Sequence, residues 1–423
     1  MGKPSWLIAY FIRRTFSFRR CHRRDAWRPH CAYQSAYLKL RVINILKILY
    51  GVQGTGNGHI ARARLMAAVF AKRDDVSVDY LFTGRDVSAY FDMHMFGEYK
   101  TKRGLSFVAE SGALNRYKTI KNINLFEFIS DVRHTDLSQY DLVLNDFEPV
   151  SAWAAKNQKI PSLSISHQAA FMCDVPTEAQ SFIDRCLTRY FAPTTFALGV
   201  HWYHFGQAII PPFVPRDFYQ DIATNQPHQN VFSLVYLPFE SLLHIQQTLQ
   251  PLSEHKFYCY HSKVQQAHID NNVHWFPLSK YGFHKALADC SNVIANGGFE
   301  LATECLSLGK ALLIKPLEGQ FEQFSNALML RQLGISDTLF SLNTDDIKEW
   351  LSEHKATQIT FPSNIDCFID WILAGDWQDT SIICEQLWKQ VTFPERVSSK
   401  LNAMCRKCGR LQSPCRCHEQ CTG

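Results

Sequence analysis

Residues 51–59 read GVQGTGNGH, with glycines at 51, 54, 56 and 58 ahead of a single histidine, His59. Glycine accepts positive φ and allows close backbone approach. An imidazole titrates near neutral pH and can take a proton from a hydroxyl. Gly54, Gly56, Asn57 and Gly58 therefore read as a substrate loop, with His59 as a general base at its mouth. A lone histidine is more often a cap or a satisfied structural residue, and spacing alone favours that reading. A second constellation closes YDLVLNDFEP (140–149), an apolar run ending in Asn145, Asp146 and Glu148. Asp146 can orient an imidazole and stabilise its charged form, although a strand-end aspartate also caps the helix that follows. A third lies in NGGFELATECLSLGKALLIKPLEGQFEQFSNAL (296–328). Asn296, Gly297 and Gly298 form a turn at a helix start, which suits a diphosphate. Glu300 or Glu304 in that helix can accept hydrogen bonds from ribose hydroxyls. Gln320, Glu322 and Gln323 on the next loop can bond a sugar. The competing reading is an ordinary β-α-β unit with a solvated helix face.

These groups need elements to bring them together. LKILY, before the glycines, suits a buried parallel strand, and Ile60 to Phe70 has helical spacing with Ile60, Leu65, Ala68 and Val69 near one face. VSVDYLFTG (76–84), GLSFVAE (104–110), YDLVLNDFEP and IPSLSISHQA (160–169) read as further strands, and SAWAAKN as a helix. The alternation predicts a doubly wound parallel sheet, with ligands beyond the carboxyl ends of its strands. Gly54 to His59, Asp146 with Glu148, and Ser166 to Gln168 all fall at such ends. No acidic residue closes a second strand about twenty residues after the glycines, so the loop is a poor dinucleotide fingerprint. The proline-rich IIPPFVPR ahead of QDIATNQPHQN marks a boundary near 211–229. A second series follows, with strands in VFSLVYLPF (231–239), HKFYCYH (255–261), NVHWFPLS (272–279), Asn292 to Ala295 and Ala311 to Lys315. A helix from Phe299 to Leu308 stops at Gly309, and Glu318 to Gln323 reads as a loop before a helix through Asn326.

The chain has 423 residues, 46% hydrophobic and 20% charged, which suits two or three globular domains. No apolar run reaches the roughly 18 to 20 residues of a membrane span. The net charge of +5 divides into +9 over residues 1–45, +3 over 404–423 and −7 between them. That distribution excludes a nucleic-acid surface spread over the body. Of 14 cysteines, nine are scattered singly through apolar contexts, as small buried hydrophobes of a reducing, cytoplasmic compartment. The remaining five sit in the last twenty residues. Cys405 and Cys408 make a CxxC pair and Cys415 and Cys417 a CxC pair, with His418 and Cys421 as spares for a structural zinc. The spacing is tighter than a standard zinc ribbon, and a disordered tail with incidental cysteines fits equally. Near the other end, SWLIAYFIRRTFSFRRCHRR has its basic residues after its apolar stretch, the reverse of a secretory signal. A basic, aromatic peripheral membrane anchor, a disordered arm, or an extension upstream of the true start at Leu46 all remain. The last is favoured, because the compact fold begins around Ile45, Leu46 and Lys47.

The 296–328 segment resembles the donor-binding half of GT-B glycosyltransferases that use nucleotide sugars. These include glycosyltransferase family 28, the lipid-linked N-acetylglucosaminyltransferases of cell-wall synthesis, and the UDP-glucuronosyl and glucosyl transferases. The shared pattern is a glycine turn, a mid-helix Glu, Gly-Lys-Pro, an apolar strand and Asp-Gln-x-x-Asn-Ala, here ending in Glu322-Gln323-Phe-Ser-Asn326-Ala327. GTGNGHIAR resembles their acceptor-side loop. DLVLNDFEPVSAWAAKNQKIPSLSISHQ is similar to a narrower archaeal and bacterial group. The resemblance covers roughly 46–340 and implies an α/β, GT-B fold: two Rossmann-like, doubly wound domains facing a cleft. The acceptor-side domain would span 46–215, the donor domain 225–365 and a helical segment 366–400, between the basic extension 1–45 and the tail 404–423. It implies Glu304 on the donor ribose, Gly297 and Gly298 at the diphosphate, Glu322 and Gln323 at the sugar or its phosphate, and His59 as acceptor-side base. The implied reaction is inverting and metal-independent, with no cofactor required. The implied partners are a nucleotide sugar, with UDP the expected nucleotide, and a glycan or lipid-linked acceptor, which would bring peripheral contact with the inner face of the membrane. No nucleic acid is implied. Glu322 in place of Asp, Lys310-Ala311 in place of Lys-Pro, and Asn57 in place of Gly depart from the pattern. Two other classes compete: a UDP-sugar 2-epimerase, which needs no acceptor, and a non-catalytic nucleotide-sugar binder with the cysteine tail as a zinc module.

Overall fold

The apolar runs become the buried middles of two seven-stranded sheets. The computed structural model describes residues 45–105, 109–110, 113–114, 124–178, 180–214 and 232–404. The extension before residue 45, most of the 211–229 boundary, and Cys405, Cys408, Cys415, Cys417, His418 and Cys421 lie outside the described residues.

The first half runs through β1 (Leu46–Gln53), α1 (Asn57–Phe70), β2 (Val76–Thr83), β3 (Tyr99–Lys102), a small ribbon of β4 (Ala109–Glu110) and β5 (Ala113–Leu114), and α2 (Leu125–Arg133). It continues with β6 (Leu142–Asp146), α3 (Pro149–Gln158), β7 (Ser162–Ser166), α4 (His167–Ala170), α5 (Phe182–Tyr190), β8 (Phe196–Val200) and β9 (Ile209–Ile210). The sheet order is β3-β2-β1-β6-β7-β8-β9, parallel throughout. The second half runs through β10 (Phe232–Tyr236), α6 (Leu242–Leu249), β11 (Lys256–Tyr260), β12 (His268–Asp270), β13 (Val273–Phe276), α7 (Lys280–Asp289) and β14 (Asn292–Asn296). Next come α8 (Phe299–Leu308), β15 (Ala311–Lys315), α9 (Phe321–Leu333), β16 (Asp337–Thr338) and α10 (Thr344–Glu353). Its order is β12-β13-β11-β10-β14-β15-β16, parallel except for β12 against β13. Both faces of each sheet are covered, so central strands such as β6 and β14 are buried at every residue, which is why they read as continuous runs.

The structure departs from the sequence reading at several elements. β1 runs on through Gly51 to Gln53, and α1 buries Ile60, Ala63, Met66, Ala67 and Phe70 while Leu65 and Val69 are half-buried and Ala68 is exposed. α1 begins at Asn57, so His59 lies in a helical first turn and not at the mouth of a loop. α9 begins at Phe321, so Glu322 and Gln323 belong to a helix and not to a polar loop. Helix first turns carry unsatisfied amides and favour polar residues or glycine, so in sequence they look like loops. The third strand position in the first sheet goes to the polar edge strand YKTK; Gly104 and Leu105 are not in a strand, and 106–108 lie outside the described residues. Edge strands need little apolar pattern.

Three last helices, α11 (Asp366–Ala374), α12 (Ser381–Trp388) and α13 (Glu395–Asn402), follow the second half. The first two reach back to the first half: Trp388 Nε1 donates to the Ile209 carbonyl at 2.7 Å, and Arg73 Nη1 to Asp370 Oδ1 at 2.5 Å. One buried cluster accordingly contains Ile48, Leu142, Phe299 and Ile372. Among the described residues no helix is long and apolar enough to cross a membrane.

Candidate active site between the two sheets

Parallel pairing of β1 with β6 sets Val52 beside Asp146, so the glycine loop and the aspartate leave the sheet together. Gly54 leaves no room for a side chain, since a Cβ would stand 2.7 Å from the Thr83 carbonyl oxygen. α1 then starts at a Gly56 cap without a side-chain bond. In its first turn His59 Nδ1 lies 2.7 Å from Asp146 Oδ1; the aspartate side chain is fully buried and the histidine 14% exposed. The alternative role for Asp146, helix capping, is taken by another residue. Glu148 caps α3, accepting from the amides of Val150 at 2.7 Å and Ser151 at 2.6 Å. Phe147 between them has φ of 55°, a left-handed conformation uncommon for a bulky residue. This bend separates the capping carboxylate from the one that meets His59.

The second half approaches the same point. Arg62, one turn beyond His59 on α1, donates through Nη2 to Glu300 Oε1 at 2.5 Å. Its Nε stands 3.4 Å from Asp146 Oδ2. Gly58 permits this approach, since a Cβ there would meet Glu300 Cγ at 2.9 Å. Burial pushes the Glu300 carboxyl up to about 7; Arg62 opposes the rise, while Asp146 and Glu304 add to it. Burial also works against the Arg62 cation, but Asp146 and Glu300 outweigh it and hold the guanidinium above its ordinary value. The pair thus favours the arginine charge more than the glutamate charge. Arg62 Nε, Arg62 Nη1 and Asp146 Oδ2 are buried without a hydrogen-bond partner.

Further contacts join the halves along this seam. Asn57 Nδ2 donates to Tyr236 Oη at 3.4 Å and Gln168 Nε2 to Glu322 Oε2 at 3.0 Å. Trp202 Nε1 donates to Thr303 Oγ1 at 2.8 Å. His167 Nε2 lies 2.8 Å from Asn326 Oδ1, and its ring stacks on Phe299 with centroids 3.9 Å apart. Burial lowers the His167 pKa, while Glu322 and the two oxygens facing its ring nitrogens, the Val200 carbonyl at 2.9 Å and Asn326 Oδ1, work the other way.

The remaining residues read from the sequence as donor-binding lie at the end of β14 and in the segments that follow β14 and β15. Gln323 Oε1 accepts from the amides of Gly297 at 3.0 Å and Leu317 at 2.8 Å, bracing the glycine turn. A Cβ on Gly297 would meet the Gln323 carbonyl oxygen at 2.8 Å, whereas Gly298, the α8 cap, has open space there. Asn296 Nδ2 donates to the Lys315 carbonyl at 2.8 Å and its Oδ1 has no partner. Glu304 stands 3.6 Å from His284 Nε2, and Gln320 occupies the cap position of α9. The structure therefore brings His59 and Asp146 into contact and joins Glu300 to them through Arg62, with Asn57 and Gly58 beside them. Sequence reasoning placed His167 at a strand end, within 166–168, without giving it a role, and passed over Arg62, Tyr236 and the Trp202–Thr303 pair. Only Arg62 left a signal, its position three residues from His59 on the same helix face.

A family model described as glycosyl transferase family 1 matches residues 46–354. Among solved structures, the glycotransferase of kitacinnamycin is 14% identical with a TM-score of 0.51, covering 82% of this chain and 99% of its own. Acinetobacter baumannii MurG is 16% identical with a TM-score of 0.46, covering 73% of this chain and 90% of its own. Phytolacca americana UGT2, complexed with UDP-2fluoro-glucose and pterostilbene, is 14% identical with a TM-score of 0.49, covering 73% and 90%. At these identities the likeness concerns the fold. No curated protein matches the chain.

Proposed function

Membership of glycosyl transferase family 1 makes this chain a GT-B glycosyltransferase, and on that premise we propose that it moves a sugar from a UDP-sugar to an acceptor hydroxyl with inversion and without a metal ion. The observation that carries the reading is the 2.7 Å contact between His59 Nδ1 and the buried Asp146 carboxylate. A carboxylate that accepts the Nδ1 proton leaves Nε2 with a lone pair, and the partly exposed ring can present it to a hydroxyl. The hydroxyl oxygen then bonds to the anomeric carbon as His59 takes its proton. The bond from that carbon to the diphosphate breaks, and the electron pair leaves with the diphosphate. The open N-terminus of α8 at Gly298 would stabilise the departing charge through its amides and dipole. Glu304 would hold the ribose, and Asn296, Gln320, Glu322, Gln323 and Asn326 would orient sugar and phosphate. Asp146 would be the partner of the base. The acceptor would be a glycan or a lipid-linked glycan, met from the cytoplasmic side of a membrane.

Calorimetric titration of UDP and UDP-sugars into the full chain and into Glu304→Ala tests the donor assignment. Binding that is lost in the variant supports it. Equal binding by both proteins sinks the role of Glu304, and no binding of any uridine nucleotide moves the donor to another base. UDP release that needs no second substrate would favour epimerase chemistry instead.

A further inference from the structure

Arg62 stands where both halves meet the His59–Asp146 pair. We propose that Arg62 is a positioning residue coupling closure of the two halves to the grip of Asp146 on His59. With Glu300 in place the guanidinium is drawn off Asp146; when Glu300 withdraws, it turns onto Asp146 and competes with the imidazole. The inference rests on the reading of His59 as the base.

Three observations carry it. First, the guanidinium is engaged unequally: Nη2 is 2.5 Å from Glu300 Oε1, whereas Nε stays 3.4 Å from Asp146 Oδ2. Second, Arg62 Nε, Arg62 Nη1 and Asp146 Oδ2 all lack hydrogen bonds although buried. Unmade bonds between buried charged groups are costly, so a small rotation of Arg62 toward a forked contact with Asp146 is favourable as soon as Glu300 stops competing. Third, the partners belong to different halves. His59 and Arg62 are on α1 and Asp146 ends β6, but Glu300 is on α8 of the second sheet. Separation of the halves removes Glu300 from contact with Arg62, together with the more distant charges of the second half, and leaves Asp146 and His59 in place.

The charged and titratable groups around Arg62 come from every packed element: Tyr50 on β1, His59 on α1, Asp146 on β6, Glu300 and Glu304 on α8, and Glu322 on α9. A guanidinium forked on Asp146 would neutralise the carboxylate and occupy its lone pairs, weakening the bond to His59 Nδ1.

The test uses the full chain with 15N-labelled histidine and follows the downfield Nδ1–H signal of His59, identified by its loss in His59→Gln. The signal is expected to move upfield in Glu300→Gln, because Arg62 turns to Asp146. It is expected to move downfield in Arg62→Gln. The double variant is expected to match Arg62→Gln alone, since Glu300 acts only through Arg62. A Glu300→Gln shift of equal size in the Arg62→Gln background would overturn the proposal, because the effect would then be direct charge. No shift in Glu300→Gln would overturn it as well. Should Arg62→Gln fail to fold, Arg62→Lys keeps the charge without the fork, and a reduced Glu300→Gln shift in that background is expected; an undiminished one counts against the coupling. The signal does not depend on turnover. An unchanged transfer rate in His59→Ala would therefore sink the base assignment and leave the coupling standing.

Discussion

At the scale of single residues, the site is a chain of four groups, His59, Asp146, Arg62 and Glu300, of which three were chosen from the sequence for their chemistry. His59→Ala should slow transfer by about 100- to 10,000-fold, the usual span for a general base. Asp146→Asn should lose a comparable factor, and the double variant little more than His59→Ala, because the two act as a unit. Transfer rates at saturating donor check this; additive losses would separate the two roles. Glu300 makes a second expectation. Its folded-state value of about 7 stands above the ordinary 4.5, so the native protein binds more protons than the unfolded chain between these values. Stability should therefore fall as pH rises through that window. At about 1.4 kcal/mol per pH unit the fall is roughly 3 kcal/mol, and it ends above pH 7. Urea unfolding of wild type and Glu300→Gln at pH 5 and pH 8 measures it. The variant should gain on wild type at the higher pH, and a constant difference would mean Glu300 is ionised throughout.

At the scale of elements, strand ends and helix starts position every group. The sequence located the ends of β6 and β14 well, because both are buried on both faces and end in polar residues, but β1 runs past the expected Tyr50 through Gly51 to Gln53. It placed the helix starts late at α1 and α9, since glycine and polar residues in a first turn carry no helical periodicity. It also left Asp146 open between partner of His59 and cap of the following helix. The backbone bend at Phe147 decided that choice, and no residue type in the stretch announces a left-handed phenylalanine. Glu148→Ala should cost about 1 to 2 kcal/mol, since it removes a cap that accepts two buried amides. Thermal unfolding measures the cost, and an unchanged midpoint would mean water replaces the carboxylate. Gly58→Ala should be tolerated by α1 itself but push Glu300 away, because its Cβ would lie 2.9 Å from Glu300 Cγ. A lowered melting midpoint is the expected result, read by thermal unfolding, because Arg62 loses its buried partner; an unchanged midpoint would mean that Glu300 reaches Arg62 from a new position.

At the scale of the whole molecule, the last helices knit the halves by packing more than by charge. Asp370 is 62% exposed, so its ion pair with Arg73 should contribute about 0.2 to 1 kcal/mol. Trp388 packs over the end of β9 and donates to Ile209 at 2.7 Å. Trp388→Ala should cost roughly 3 kcal/mol and Asp370→Asn several-fold less. Urea midpoints compare them, and equal costs would place charge on a par with packing here.

The sequence alone determined the alternation of strands and helices, the edge of the sheet on which function would gather, and the residue types able to do chemistry there. Those follow from local periodicity and from what glycine, histidine and carboxylates do in any protein. Only the tertiary structure decided that Asp146 meets His59 and leaves the helix cap to Glu148, that Gln323 braces a glycine turn, and that Arg62 joins both halves. Those contacts link residues as far apart as Arg62 and Glu300, and such pairings depend on how two sheets face each other, which no local pattern encodes.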